Sequence, residues 1–199
     1  MKIVIIKYNA GNIMSVDFAL QRLGIKASVT ADPYEIRSAD RVIFPGVGEA
    51  STTMAYLREQ KLDQLIPDLK QPVLGICLGL QLMCAHSEEG DTTCLGIFPE
   101  KVKKFIPETG KETLFKVPHM GWNSISGLKS KLFDLSLEDQ YFYFVHSYYA
   151  TAGNDTAATC QYIEAFSAAL QKDNFFATQF HPEKSGKAGA RILENFINL

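Results

Sequence analysis

The chain has 199 residues, of which 46% are hydrophobic and 21% are charged, as is usual for one globular domain. Twenty Lys and Arg residues against twenty-two Asp and Glu residues give a net charge of −2, so no basic field favours binding to a nucleic acid. No apolar run approaches the ~20 residues that span a bilayer, and residues 1–12 lack the apolar length and cleavage site of a secretory signal. We therefore expect a single domain over residues 1–199 that lies in the cytoplasm and binds neither nucleic acid nor membrane.

The first half of the chain alternates short β-branched runs with amphipathic stretches. Strands are predicted over residues 3–6, 27–29, 41–44 and 72–76, and helices over 13–23, 52–60 and 78–86. Asn12 is predicted to cap the first helix, and Gly24 is predicted to end it. This alternation predicts an α/β fold with a doubly wound, mostly parallel sheet that has helices on both faces.

From about residue 95 onwards, predicted strands follow one another without long helices between them. Strands are predicted over residues 101–106, 114–117, 141–145 and 175–180, with a hairpin turn at 107–110 and a last helix over 188–198. The second half is therefore expected to add an antiparallel extension to the parallel sheet.

Gly75-Ile76-Cys77-Leu78-Gly79 lies between a predicted strand and a predicted helix, and it is the thiol form of the G-x-S-x-G nucleophile elbow. On such a turn, side chains at positions 75 and 79 would collide with neighbouring backbone. Cys77 would lie at the carboxyl end of a strand, where α/β sheets bind ligands, and at a helix N-terminus, which favours the thiolate. The N–H of Leu78 would then face a developing oxyanion. A tight turn with an inert thiol is the alternative.

A base for that thiol is found in Gln179-Phe180-His181-Pro182-Glu183, which ends the last predicted strand. In extended backbone, His181 and Glu183 point to the same side. An imidazole beside a carboxylate is the base and orienting group of a catalytic triad, provided that the fold brings both to Cys77. The alternative is a structural ion pair at the end of a strand.

A second source of backbone N–H groups is Pro45-Gly46-Val47-Gly48, which also follows a predicted strand. Phosphate binding and an unoccupied turn are the alternatives, although the loop has neither G-K-[ST] nor G-x-G-x-x-G. The cysteines include no C-x-x-C pair, so we predict no metal site and no cofactor. Cys84, Cys94 and Cys160 are expected to be reduced, buried thiols.

In order and spacing, these three segments resemble the triad-type (class I) glutamine amidotransferases along the whole chain. Within that family, Pro118-His119-Met120-Gly121-Trp122-Asn123 and Tyr143-Phe144-Val145-His146-Ser147-Tyr148 resemble the glutaminase subunit of imidazole glycerol phosphate synthase, an enzyme of histidine biosynthesis. Tyr8, Gly11-Asn12 and Lys184-Ser185 match the same pattern. The chain departs from it at Lys7 and Asn9, where the usual D-Y-G-x-G-N has Asp and Gly, and at Glu49-Ala50, where small or aromatic residues are usual.

The resemblance implies a flavodoxin-like fold and hydrolysis of glutamine to glutamate and ammonia through a glutamyl thioester. The implied site consists of the catalytic residues Cys77, His181 and Glu183, the oxyanion-binding N–H groups of Val47 and Leu78, and the substrate-binding residues Gly48, Gln81, Ser147 and Tyr148. Ordinary structural hydrogen bonding is the alternative for Gln81 and Tyr148.

A partner is also implied, because a glutaminase of this length has no domain left to consume ammonia. In the resembling family the partner is a (β/α)8-barrel cyclase subunit, which forms a heterodimer with the glutaminase and receives ammonia through an internal channel. The cyclase combines this ammonia with PRFAR, a phosphoribulosyl aminoimidazole carboxamide nucleotide, and forms imidazole glycerol phosphate and AICAR. Asn12, Trp122 and Lys184 match positions at that interface, with a core role as the alternative for Trp122. His119 and His146 are assigned to structure or interface.

Three other functions stay open on the sequence alone. A glutaminase of another pathway would show a different loop, such as G-G-E-S in the pyridoxal phosphate synthase type, or would lack P-H-M-G-W-N, as in the anthranilate type. A cysteine hydrolase or peptidase on a related fold does not usually place His-Pro-Glu after its last strand. A scaffold with an unused triad is disfavoured by the intact Cys77, His181 and Glu183.

Overall fold

The computed structural model describes residues 1–8, 11–110 and 115–199. Its helices are α1 (Ile13–Arg22), α2 (Pro33–Arg37), α3 (Ala50–Glu59), α4 (Leu62–Leu65), α5 (Leu78–Met83) and α6 (Gly186–Ile197). Its strands are β1 (Ile3–Ile6), β2 (Ala27–Thr30), β3 (Arg41–Gly46), β4 (Val73–Cys77), β5 (His86–Ser87), β6 (Thr92–Thr93), β7 (Lys101–Lys104), β8 (His119–Ser124), β9 (Tyr141–His146), β10 (Tyr148–Ala150), β11 (Thr156–Gln161), β12 (Ala165–Lys172) and β13 (Phe175–Thr178).

The central sheet has seven strands in the order β11-β12-β13-β4-β3-β1-β2. The five strands from β13 to β2 are parallel, whereas β12 pairs antiparallel with β13 and β11 pairs antiparallel with β12. This arrangement confirms the predicted fold class, a mostly parallel α/β sheet with an antiparallel extension. Within the described ranges, no helix is both long and apolar enough to cross a bilayer.

Hydrophobic residues of β1 alternate between two cores, one on each face of the sheet. Ile3 and Ile5 pack with α1 and α6, whereas Val4 and Ile6 pack with α3, α4 and α5. Such strands are buried on both faces, which is why they read as continuous apolar runs in the sequence. The parallel strands end at the edge of the sheet where β3 and β4 place Gly46 opposite Cys77.

Two smaller sheets are ordered β10-β7-β5-β6 and β8-β9, and they contact the antiparallel extension where β10 meets β12 and where β8 meets β11. A turn is present at residues 109–110 of the predicted 107–110, but β7 pairs with β5 and β10 rather than with a strand after that turn. The strand predicted over 114–117 is wrong for its described part, because residues 115–117 bend and pairing begins only after Pro118, which has no N–H to donate. Leu114 lies outside the described residues.

The helix predicted over residues 78–86 ends at Met83. Cys84 is extended with ψ 174°, and the next N–H, that of Ala85, donates to the carbonyl of Glu100 at 3.0 Å. The chain thus turns into β5, where His86 pairs with Lys101. The competing sheet hydrogen bonds end the helix three residues earlier than its apolar pattern predicts.

Candidate active site

Cys77 is the last residue of β4 and immediately precedes α5. Its backbone has φ 55° and ψ −108°, a conformation that residues with a side chain rarely adopt. Strain of this kind persists only where the surrounding structure imposes it, as at a nucleophile elbow. The predicted strand-to-helix turn with the thiol at its apex is therefore confirmed.

The two glycines of the elbow allow close backbone approach. A Cβ at Gly79 would overlap the carbonyl oxygen of Phe44, and one at Gly75 would lie 2.9 Å from Sδ of Met83 and 3.0 Å from the carbonyl carbon of Gly79. The collisions predicted at positions 75 and 79 are thus confirmed. Because positions 75 and 79 carry no side chain, β3, β4 and α5 pack closely against one another behind the thiol.

Gly79→Ala is expected to destabilise the protein by at least ~3 kcal/mol, because the added methyl meets backbone rather than a movable side chain. Urea unfolding followed by circular dichroism measures the change. Lys187→Ala, on the exposed face of α6, is the control and should stay within ~0.5 kcal/mol of the unmodified chain. Equal stability of the two variants would contradict the close packing described.

The predicted base and its carboxylate meet in the structure. Nδ1 of His181 lies 2.7 Å from Oε1 of Glu183, and both side chains are fully buried. The segment is extended only as far as His181, because Pro182–Lys184 forms a 3-10 turn. His181 itself is extended, as expected before a proline, and the turn then carries the carboxylate back to the imidazole.

Nε2 of His181 is buried and has no hydrogen-bond partner among the described residues. Burial favours the neutral imidazole, but interactions with Cys77 and Glu183 outweigh it and raise the pKa of His181 above its usual value. The nitrogen opposite the carboxylate is thus available to the thiol. The fold brings together the three residues proposed as a triad from far-separated parts of the chain.

Asn12 occupies the predicted N-cap position of α1, where its carbonyl accepts the N–H groups of Ser15 and Val16. Its backbone is left-handed with φ 73°, and its side chain makes no hydrogen bond to the helix N-terminus, so the predicted position is confirmed but a side-chain cap is not formed. Instead, Nδ2 of Asn12 donates to Oε1 of Glu183 at 2.6 Å and lies 3.3 Å from Nδ1 of His181. A hydrogen bond to the charged carboxylate of Glu183 is stronger than one to a neutral backbone group of α1, so the Asn12 side chain is oriented towards Glu183.

A cavity of about 330 Å³ opens beside the thiol. It is lined by the predicted oxyanion and substrate residues Val47, Gly48, Leu78, Gln81, Ser147 and Tyr148, together with Cys77, Glu89, Pro118, Val145 and His146. Glu89 is the residue of this lining that bears a carboxylate, and it does not belong to any of the sequence motifs described above. Burial raises the pKa of its carboxyl group above the usual value, while Oε2 accepts the N–H of Ala50 at 2.8 Å.

Two glutamines connect the cavity wall to the sulfur. Nε2 of Gln81 donates to the carbonyl of Tyr148 at 2.8 Å and to Oε1 of Gln179 at 3.1 Å. Nε2 of Gln179 lies 3.8 Å from Sγ of Cys77, within reach of an N–H to sulfur hydrogen bond. Gln81 therefore takes part in structural hydrogen bonding and also lines the cavity. No sequence pattern assigns a role to Gln179, although it lies in a motif.

The Pro45-Gly46-Val47-Gly48 loop is anchored next to the thiol. The hydroxyl of Tyr8 donates to the carbonyl of Pro45, and burial raises the pKa of this tyrosine well above its usual value. A Cβ at Gly46 would lie 2.5 Å from that hydroxyl oxygen, and Gly48 has φ 126°. Tight packing and a positive φ thus explain both glycines without a bound phosphate.

Comparison with known proteins identifies the family to which these features belong. The family model described as glutamine amidotransferase class-I matches residues 5–199. The chain belongs to this family. It is therefore a glutamine amidotransferase, as the three motifs predicted.

The amidotransferase is also similar to named relatives over its whole length. It is 61% identical to imidazole glycerol phosphate synthase subunit HisH of Bacteroides fragilis and 59% identical to that of Bacteroides thetaiotaomicron, with all of each chain covered. It is 45% identical to the HisH subunit of Haemophilus influenzae, over 99% of this chain and 97% of the relative. The resemblance drawn from residues 118–123 and 143–148 agrees with these relatives.

Solved structures share the fold of this amidotransferase at lower sequence identity. A putative GMP synthase subunit from Thermoplasma acidophilum superposes with a TM-score of 0.74 at 21% identity, over all of this chain and 93% of the other. A structure described as a glutamine amidotransferase gives a TM-score of 0.73 at 17% identity, over 98% and 97% of the two chains.

An aromatic pair lies between the triad of the amidotransferase and solvent. Trp122 is 55% exposed, so the alternative of a core tryptophan is wrong. Its ring packs edge-on against Tyr143 at a centroid distance of 6.1 Å. The Tyr143 ring lies 6.4 Å from the His181 ring, and Nζ of Lys184 lies 5.9 Å from its centroid. Asn12 contacts Glu183 and His181 directly, whereas Trp122 and Lys184 approach His181 through the ring of Tyr143.

Proposed function

We propose that this chain is the glutaminase component of imidazole glycerol phosphate synthase and serves histidine biosynthesis. It hydrolyses glutamine to glutamate and ammonia with Cys77, His181 and Glu183. The observation that carries the proposal is the buried His181–Glu183 pair beside a strained thiol that faces a cavity. The relatives named above, which cover the chain from end to end, support the assignment to this synthase.

The chemistry follows from the positions of these groups. The thiol proton of Cys77 passes to Nε2 of His181 as the sulfur attacks the side-chain carbonyl carbon of glutamine. The negative oxygen that forms is stabilised by the N–H groups of Val47 and Leu78. The imidazolium returns its proton to the departing nitrogen, which leaves as ammonia. Water, deprotonated by the same imidazole, then cleaves the thioester and releases glutamate and the thiol.

We further propose that Glu89 accepts the α-ammonium group of glutamine, since it is the carboxylate in a cavity otherwise lined by neutral groups. Gly48, Gln81, Ser147 and Tyr148 surround the remaining amino-acid part. Glu89→Gln keeps the shape but removes the charge, so we expect KM for glutamine to rise at least ~10-fold with little change in kcat.

Glu88→Gln is the matched control for Glu89→Gln. Its carboxylate is adjacent in sequence but exposed, and it accepts the N–H of Lys104 away from the cavity lining. Steady-state glutamate release measures both variants. Equal KM values for the two variants would remove the ammonium-binding role of Glu89.

We propose that a (β/α)8-barrel cyclase is the partner and that it docks on the face formed by Asn12, Trp122 and Lys184. The exposed apolar side chains of Met14 and Phe18, one turn apart on α1, support this face, because α1 begins next to Asn12. Large exposed aromatics such as Trp122 often anchor interfaces. In this proposal, residues 1–199 form one domain that releases ammonia from glutamine, and the partner uses that ammonia.

Mixing the chain with the cyclase barrel tests this function directly. Glutamate release by the isolated chain should be slow, and it should rise when the barrel and its nucleotide substrate are added together. Formation of imidazole glycerol phosphate from glutamine in the mixture would support the assignment to this synthase. A full rate without any partner, or no product with it, would contradict the proposal.

The four unpaired cysteines are consistent with the proposed cytoplasmic location.

A further inference from the structure

Two of the four histidines form a buried pair that the proposed mechanism does not use. Nδ1 of His119 lies 3.0 Å from Nε2 of His146, and both residues are buried. The rings of Phe144 and Tyr162 stack on that of His119, at centroid distances of 5.0 and 4.0 Å. Packing alone does not require two imidazoles here, since apolar rings surround them, so the hydrogen bonds of the pair need an explanation.

The position of each proton in this pair is determined by a fixed acceptor. Nδ1 of His146 is 2.7 Å from the carbonyl oxygen of Tyr148, and a carbonyl only accepts, so Nδ1 carries the proton. Burial lowers the pKa of His146 to about 3 and that of His119 to about 4, and both rings are neutral at pH 7. Nε2 of His146 is then an acceptor, and Nδ1 of His119 donates to it.

Asn123 lies at the His119 end of this chain of hydrogen bonds. Its Oδ1 accepts the N–H of Ser124 at 2.9 Å, and its Nδ2 donates to the carbonyl of Gln161 at 2.9 Å, so the orientation of the amide is determined. The same Nδ2 lies 3.5 Å from Nε2 of His119, which is the ring nitrogen without a proton. Donation therefore runs in one direction, from this amide through both imidazoles to the carbonyl.

The carbonyl of Tyr148 joins this series to the cavity. It accepts from Nδ1 of His146 and also from Nε2 of Gln81, whose amide in turn donates to Gln179 beside the sulfur of Cys77. The residue that carries this carbonyl lines the cavity together with Gln81. Buried polar groups that are hydrogen-bonded in a chain restrict one another's orientation. The imidazole pair therefore restricts the Tyr148 carbonyl and, through it, the Gln81 amide that lines the cavity.

We propose that His119 and His146 are positioning residues for glutamine hydrolysis. As Nδ1–H tautomers they hold the Tyr148 carbonyl, which in turn holds the Gln81 amide where it lines the cavity beside Cys77. The inference rests on the proposed function, because it assigns the cavity to glutamine. It gives His119 and His146 a defined role inside the protein, one that is separate from contact with a partner.

The tautomers are measured by ¹⁵N NMR of the imidazole rings in the full-length chain at pH 7. The variants His86→Asn and His181→Asn assign the other two rings by loss of their signals. Both His119 and His146 should carry their proton on Nδ1 alone. An Nε2–H tautomer or an imidazolium at either residue would overturn the proposal. No substrate is needed, so this result does not depend on whether the chain hydrolyses glutamine.

Two substitutions of His146 separate positioning from packing. The amide nitrogen of asparagine reaches the place of Nδ1 and can donate to the Tyr148 carbonyl, whereas that of glutamine reaches the place of Nε2 and cannot. In the presence of the partner, His146→Gln should raise KM for glutamine about 10-fold, whereas His146→Asn should stay within about threefold of the unmodified chain. The value of kcat should change less than KM in both. His86→Asn, at a partly exposed site outside the cavity lining, is the control.

Equal KM values for His146→Gln and His146→Asn, in proteins that unfold at the same urea concentration, would overturn the positioning role while the proposed function stands. If the unmodified chain with its partner hydrolyses no glutamine, the proposed function fails and this inference fails with it. If a His146 variant does not fold, the NMR measurement on the unmodified chain still decides the matter.

Discussion

Cys77→Ala is expected to lower glutamine-dependent product formation about 10⁶-fold, the order seen when the nucleophile of a triad is removed. In the proposed mechanism the sulfur of Cys77 forms the bond to the substrate, and Cys77 supplies the one thiol among the described residues that line the cavity. Ammonia supplied as a salt bypasses this step, so the ammonia-dependent reaction of the partner should be unchanged. Glutamate release with glutamine, and product formation with glutamine and with ammonium, give the three rates needed.

Cys94→Ala is the matched control for that substitution. Cys94 is partly exposed, so its predicted full burial is wrong, although partial burial of the thiol raises its pKa to about 11. Its loss should leave both reactions at their original rates. If Cys77→Ala abolished the ammonia-dependent reaction as well, the substitution would have disturbed the complex rather than the chemistry, and the assignment of catalysis to this thiol would be contradicted.

Glu183→Gln is expected to have the second-largest effect, a decrease in kcat/KM of about 10³–10⁴-fold. The amide keeps an oxygen for Asn12 and His181, so the geometry is preserved while the charge is lost. The carboxylate contributes to the raised pKa of His181, and its removal should lower that pKa. Steady-state kinetics with the partner and NMR titration of the imidazole measure the two effects.

Glu194→Gln serves as the control for Glu183→Gln, because this carboxylate lies on the outer part of α6 and pairs only with Arg191, at 3.6 Å, among the described ion pairs. We expect its kinetics to match those of the unmodified chain. A Glu183→Gln variant with undiminished kcat/KM would show that the imidazole needs no charged orienting group.

The local geometry of the proposed catalytic centre could be predicted because its residues obey local rules. β4 is a continuous apolar run, the elbow needs glycine at positions 75 and 79, and the residue before Pro182 avoids helical backbone. The 3-10 turn after His181 could not be predicted, since the pattern His-Pro-Glu permits both an extended and a turned continuation. The turn nonetheless produces the side-chain contact that was predicted.

Other features depend on tertiary contacts that the sequence does not record. β12 contains three alanines among its eight residues, and alanine favours helix over strand, so its place in the sheet is set by pairing with β11 and β13. The role of Asn12 as a donor to Glu183 requires knowing that the two residues meet. By contrast, α2 has a readable local signal, because Asp32 caps it and Pro33 is its first residue.

Covalent labelling with a diazoketone analogue of glutamine tests the central claim most directly, because it requires both a glutamine pocket and a reactive thiol. Burial raises the pKa values of the thiols of Cys84, Cys94 and Cys160, the last two to about 11 and about 12, so these cysteines serve as internal controls. Peptide mapping by mass spectrometry should find the adduct on Cys77 alone, and excess glutamine should protect it. An adduct on another cysteine, or labelling of Cys77 that glutamine does not suppress, would contradict the account.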